Sequence, residues 1–220
     1  MQARYRRDYP GEFVITESRW SGGKKQENRE WVENPINNHH LSGRAACLGS
    51  LQDISQFDPD ILEQHRGGLL GSKKLQNYGT GHVAQYMRLD FAVDQDYNII
   101  KTLVESGYTK TNIVYTTARN CLRNPGEFYL IPNNPHLCTE VLPIYLAAFD
   151  GHKEIYMLGY HNNTKAGRDT WIQEVASLIE AYSGTVFTMV GNEQNMPAEW
   201  MCYANTRNYT YREFISYCDV

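Results

Sequence analysis

From Ser42 onward, short apolar runs alternate with stretches that carry a helical stripe, and this alternation restricts the chain to few architectures. GRAACLGS (Gly43 to Ser50), GGLLGS (Gly67 to Ser72), RLDFAVD (Arg88 to Asp94), TNIVYTT (Thr111 to Thr117), GEFYLIP (Gly126 to Pro132), KEIYMLGY (Lys153 to Tyr160) and GTVFTMVG (Gly184 to Gly191) read as strands. Helices are expected between them. Asp58 caps DILEQHR, with Pro59 at its first helical position, and DYNIIKTLVESG stops at Gly107. PHLCTEVLPIYLAAF (Pro135 to Phe149) carries a helical stripe with a kink expected at Pro143. RDTWIQEVASLIEAY is amphipathic, and TYREFISYC near the end reads as a short helix. Strands separated by helices build βαβ units, hence a largely parallel sheet flanked by helices: an α/β, Rossmann-like class.

The first forty residues follow a different pattern. EFVITESRW (Glu12 to Trp20), the turn SGGKK and ENREWVENP (Glu27 to Pro35) form a β-hairpin arm over residues 1–40, leaving 41–220 as the α/β domain. Two strands alone are marginal in water, so the arm is expected to lie on the domain or on a partner, anchored by Trp20 and Trp31.

A net charge of −4 argues against bulk nucleic-acid binding, although Arg4, Arg6 and Arg7 make the N-terminus locally basic. Five widely spaced cysteines with no C-x-x-C point to reduced thiols in the cytoplasm rather than a disulfide framework or zinc site. No apolar leader and no run of ~18 apolar residues occurs, so neither a signal peptide nor a membrane span is expected. No H-E-x-x-H, P-loop or G-x-S-x-G is present, which removes the simplest metalloprotease, P-loop and α/β-hydrolase readings.

Parallel sheets bind ligands beyond the carboxyl ends of their strands. The residues expected there are Gly49-Ser50, Ser72-Lys73, Asp94-Gln95-Asp96, Thr116-Thr117, Asn133-Asn134 and His161-Asn162-Asn163. Asp94 and Asp96 are a carboxylate pair suited to a magnesium ion on a diphosphate, to ribose hydroxyls, or to capping the helix at Tyr97. His161 stands at the carboxyl end of a strand, where an imidazole suits a general base, with a turn residue as the plain alternative. His82 lies in a Gly-flanked loop, His136 in the first turn of a helix, and His152 at the amino end of a strand, away from the rim.

Three segments in order, AACLGSLQDISQFD, RLDFAVDQD and LCTEVLPIYLAAFDGHKEIYMLGYH, resemble a known group over roughly Arg44 to Asn163. It comprises the Rossmann-like bacterial sialyltransferases that use CMP-sialic acid, the motility accessory factors and the hydroxymethylpterin pyrophosphokinase type. The resemblance implies a nucleotide-sugar-dependent glycosyltransferase. The donor would lie over Gly49, Ser50, Ser72, Asp94 and Asn134, with its phosphates near Thr139 and His161 acting on the acceptor. The group's first turn is usually G-x-G-x-S, where this chain has Leu48-Gly49-Ser50-Leu51, and its later Ser/Thr-Gly is Thr139-Glu140 here. These departures, the aromatic arm and the Tyr-rich C-terminus support an alternative. In it the chain is a non-catalytic assembly protein, such as a virion component, that meets a protein partner or its own copies through residues 1–40 and the tail.

Overall fold

In a computed structural model the described residues are 2–6, 12–33, 43–49, 58, 60–63, 75–133, 135–160, 168–191 and 196–218. Among them, eight parallel strands make the body of the sheet: β4 (Arg44–Leu48), β5 (Gln76–Thr80), β6 (Phe91–Val93), β7 (Ile113–Thr116), β8 (Tyr129–Leu130), β9 (Glu154–Leu158), β10 (Val186–Val190) and β11 (Thr206–Tyr209). They lie in the order β11-β10-β9-β4-β5-β6-β7-β8. The N-terminal strands β1 (Gln2–Arg6), β2 (Glu12–Ser21) and β3 (Lys24–Glu33) continue the order beyond β8, and β2 and β3 pair antiparallel.

Two helical layers cover the sheet because successive strand residues face opposite ways. Ala45, Cys47, Tyr78, Phe91, Tyr115, Ile155, Met157 and Phe187 face one layer, built from α5 (Leu142–Phe149) and α6 (Arg168–Ala181). Ala46, Leu48, Ala92, Val114, Tyr156, Leu158 and Val190 face the other. That second layer holds α1 (Asp60–Glu63), α2 (Gly81–Ala84), α3 (Tyr97–Glu105), α4 (Ala118–Arg123) and α7 (Tyr211–Cys218). Every residue of α5 from Leu142 to Ala148 is buried, so the helix is apolar all round rather than striped. It packs across β4, β5, β6 and β9 and against α6.

Several expected boundaries move. The strand expected at Gly67 to Ser72 lies outside the described residues; the strand next in the chain is β5, in the stretch expected as a loop around His82. Its residues Gln76 and Asn77 are polar yet buried, which hides it from an apolar pattern. The Asn77 amide N–H donates to Asp90 Oδ2 at 2.9 Å and its Nδ2 to the Leu62 carbonyl at 2.8 Å. Helix α5 begins at Leu142, not at Pro135, and Pro143 starts it instead of kinking it. A backbone N–H in the first turn has no intrahelical acceptor, so proline, which lacks one, fits there. His136 has φ +55°, which excludes it from a helix. β8 is two residues long, and β11 was not expected. Asp58 does cap α1, accepting from the Asp60 N–H at 3.0 Å. Gly107, at φ +75°, follows the end of α3 as expected.

Among the described residues no helix is long and apolar enough to cross a membrane.

Candidate functional site

The strand order reverses between β4 and β9. From β4 the chain proceeds through β5 to β8 with α1 to α4 on one face; from β9 it proceeds through β10 to β11 with α6 on the other. Connections that leave adjacent parallel strands toward opposite faces open a crevice at their carboxyl ends, the place where α/β sheets bind ligands.

Gly49 and Gly159 flank that crevice, since Leu48 is in register with Leu158. Gly159 has φ +73°, a conformation that glycine adopts at little cost, and it ends β9. The first rim residue after this strand is therefore Tyr160, one position before His161. Gly49 donates its N–H to the Leu158 carbonyl at 3.0 Å. A Cβ on Gly49 would stand 3.0 Å from the Gly159 carbonyl oxygen and 3.0 Å from Tyr160 Cε1. Gly49 thus forms a wall of the crevice, and its N–H is already engaged. The Tyr160 ring is buried, and its hydroxyl donates to the Glu140 carbonyl at 2.9 Å. Burial holds that phenol well above its ordinary value. Trp171 on α6 packs beside the ring, with Trp200 edge-on behind it.

The neighbouring rim is built around Asp94, 1% exposed. Its Oδ2 accepts from the Gly81 N–H at 3.1 Å and its Oδ1 from the Asp96 N–H at 2.8 Å. A Cβ at Gly81 would meet Ile99 Cγ2 at 2.5 Å and Asp94 Oδ2 at 2.8 Å, so only glycine lets the β5 turn come this close. Desolvation raises the Asp94 carboxyl above its usual range, and the Asp96 N–H, the charge of His82 and the Gly81 N–H oppose it. Asp96 caps α3, accepting from the Asn98 N–H at 2.7 Å. Of the carboxylate pair, then, one ties two turns together and the other caps a helix.

A chain of bonds extends from Asp94 along the edge. Thr116 Oγ1 donates to the Asp94 carbonyl at 2.7 Å. Asn120 Nδ2 donates to Thr116 Oγ1 at 2.9 Å and to the Gln95 carbonyl at 3.1 Å. Gln95 Nε2 donates to the Leu137 carbonyl at 2.8 Å. Thr139 is half-buried in the segment that follows, where its carbonyl accepts from the Leu142 N–H at 3.3 Å.

The structure therefore brings Gly49, Asp94 and Thr139 to the carboxyl edge of one sheet. Ser50, Ser72, Asn134 and His161 lie outside the described residues. His82 is exposed in α2, directly after β5. His152 is fully buried against Tyr78, whose hydroxyl lies 3.1 Å from His152 Nε2 and 2.6 Å from Asp150 Oδ2. Tyr160, Asn120 and Glu174 are rim residues that sequence reading passed over. Gly159 was the available signal for Tyr160, because a glycine before a polar cluster marks where the strand stops. Among the described residues no group of three or more His, Cys, Asp or Glu side chains is placed to hold a metal ion.

Comparison with protein-family models, with curated proteins and with solved structures returns no match.

Proposed function

We propose that the protein is a nucleotide-binding transferase, with a nucleotide sugar as donor and an acceptor hydroxyl as the second substrate. The observation that carries this reading is the reversal of strand order between β4 and β9, with Gly49 and Gly159 flanking the crevice it opens. In the reaction the acceptor oxygen forms a bond to the anomeric carbon as the bond from that carbon to phosphate breaks. The nucleotide leaves with the electron pair, and His161 takes the acceptor's proton. Asp94 is a positioning residue: its two oxygens hold the β5 and β6 turns through the Gly81 and Asp96 amides. The sialyltransferase-like order of segments in the sequence supports the same reading.

A thermal-shift screen with CMP, UDP, GDP and their sugars, with and without Mg²⁺, tests it. A ligand present at a hundred times its dissociation constant stabilises the native state by about 2.7 kcal/mol, a readily visible rise in melting temperature. A flat response to every nucleotide ends the transferase reading.

A different observation favours a second reading, an assembly protein on the same fold. Asp94, Gln95, Thr116 and Asn120 all spend rim hydrogen bonds on the protein itself. Deleting residues 1–40 distinguishes the two: loss of assembly with an intact α/β core supports this second reading, and unchanged assembly rejects it.

A further inference from the structure

Residues 135–141 cross the carboxyl edge of the sheet as neither helix nor strand. Three side chains from three separate places hold their backbone. Gln95, in the turn after β6, donates to the Leu137 carbonyl at 2.8 Å. Glu174, on α6, accepts from the Cys138 N–H at 2.9 Å. Tyr160, after β9, donates to the Glu140 carbonyl at 2.9 Å. Among the described residues the two non-glycine positions with positive φ, Asn133 and His136, both stand where this segment begins, each at +55°. Such backbone costs on the order of 1 kcal/mol per residue and persists only where surrounding contacts impose it.

Tyr160 has two duties. Its hydroxyl ties the segment down, and its ring fills the space against Gly49. We propose that residues 135–141 are a strap latched by Tyr160, and that strap and ring together gate the switch-point crevice. The structure is the closed state. A nucleotide that reaches Gly49 must displace the ring, and losing the ring loses the latch, so occupancy and strap release are one event. What passes the gate rests on the nucleotide reading above; the latch itself does not.

Cys138 is a built-in reporter. Its thiol is half-buried and pushed up to about 12, first by burial and then by Glu174, so the closed strap should keep it unreactive. Cys202 is exposed and serves as the fast internal standard. The full chain is alkylated with iodoacetamide and each cysteine followed by peptide mass. Wild-type Cys138 should label far more slowly than Cys202. Tyr160→Phe, which keeps the ring and removes the latch, and Gln95→Ala, which releases the strap elsewhere, should each raise Cys138 labelling about three- to tenfold. Glu174 is left intact because its carboxylate also acts on the thiol directly. Rates within twofold of wild type in both variants, with circular dichroism unchanged, overturn the latch. So does a wild-type Cys138 that reacts as fast as Cys202. Adding millimolar CMP, UDP or GDP to wild type separates the two readings. A nucleotide that raises the melting temperature but leaves Cys138 labelling unchanged overturns the gate and leaves the nucleotide reading standing. Faster labelling in both variants with no nucleotide effect upholds the latch and counts against the nucleotide reading.

Discussion

Gly49 and Tyr160 are in contact across the switch point: a methyl group on Gly49 would lie 3.0 Å from one edge of the Tyr160 ring and 3.0 Å from the Gly159 carbonyl oxygen. The ring can shift, but the carbonyl belongs to the end of β9 and cannot. Gly49→Ala should therefore destabilise the protein by about 1–3 kcal/mol, the usual cost of overpacking. Gly81→Ala should cost more, because its Cβ would stand 2.5 Å from Ile99 and 2.8 Å from Asp94 Oδ2. Urea denaturation of the two variants checks the ranking, and equal midpoints would contradict it.

Asp94 accepts hydrogen bonds from two backbone amides, those of Gly81 and Asp96. Asp94→Ala removes the acceptor from two buried or part-buried N–H groups and should cost about 1–3 kcal/mol for each. A variant as stable as wild type would mean that water or a shifted turn satisfies both.

The pH dependence has a definite sign. Burial raises the Asp94 carboxyl above its ordinary 3.8. The fold thus favours the protonated acid. The stability this preference contributes is complete below 3.8 and is lost as pH rises through the elevated folded value. Asp94→Asn cannot ionise, so wild type should lose stability relative to it as pH rises above 3.8. Denaturation curves of both chains across acid to neutral pH measure the difference. A difference that is flat, or that runs in the other direction, rejects the raised value.

Tyr78 bonds Asp150 at 2.6 Å and meets His152 at 3.1 Å, all three buried on the face covered by α5. Tyr78→Phe keeps the ring and its contact with Phe91 but deletes the hydroxyl, and should cost about 1–3 kcal/mol. Asp150 and His152 precede β9, at the amino end of the strand and not at the carboxyl rim, so the nucleotide binding proposed above should be unchanged once the loss of stability is allowed for. Altered affinity at equal folded fraction would show that the two regions are coupled.

Thiol reactivity should follow burial. Cys121 is pushed up to about 11 and Cys47 well above its ordinary value, both by desolvation, whereas Cys202 is exposed. Of these three, Cys202 should consume Ellman's reagent first and the other two only on unfolding. Early reaction of Cys47 would show that the layer between β4 and α5 opens in the native state.

The periodic pattern from Ser42 onward was enough to set the α/β class, the parallel sheet, most of its strands and the ends of α3, α6 and α7, because apolar spacing reports which residues face a core. It missed β5, where Gln76 and Asn77 are both buried and Asn77 hydrogen-bonds Asp90 and Leu62, partners 15 or fewer residues away that no local pattern names. It also started α5 at Pro135 and expected a kink at Pro143, whereas the helix begins at Leu142 and Pro143 stands in its first turn. Gly49 and Asp94 were legible as rim residues from strand ends alone, and Thr139 only through the family resemblance. Tertiary structure decided the rest: that β9 crosses back to lie beside β4, that Tyr160 meets Gly49, and that Asp94 spends both oxygens on backbone. Sequence determines which residues prefer burial and where strands stop. Which strand ends meet depends on long-range pairing, here between residues over a hundred positions apart, and on the shape complementarity that a missing Cβ permits.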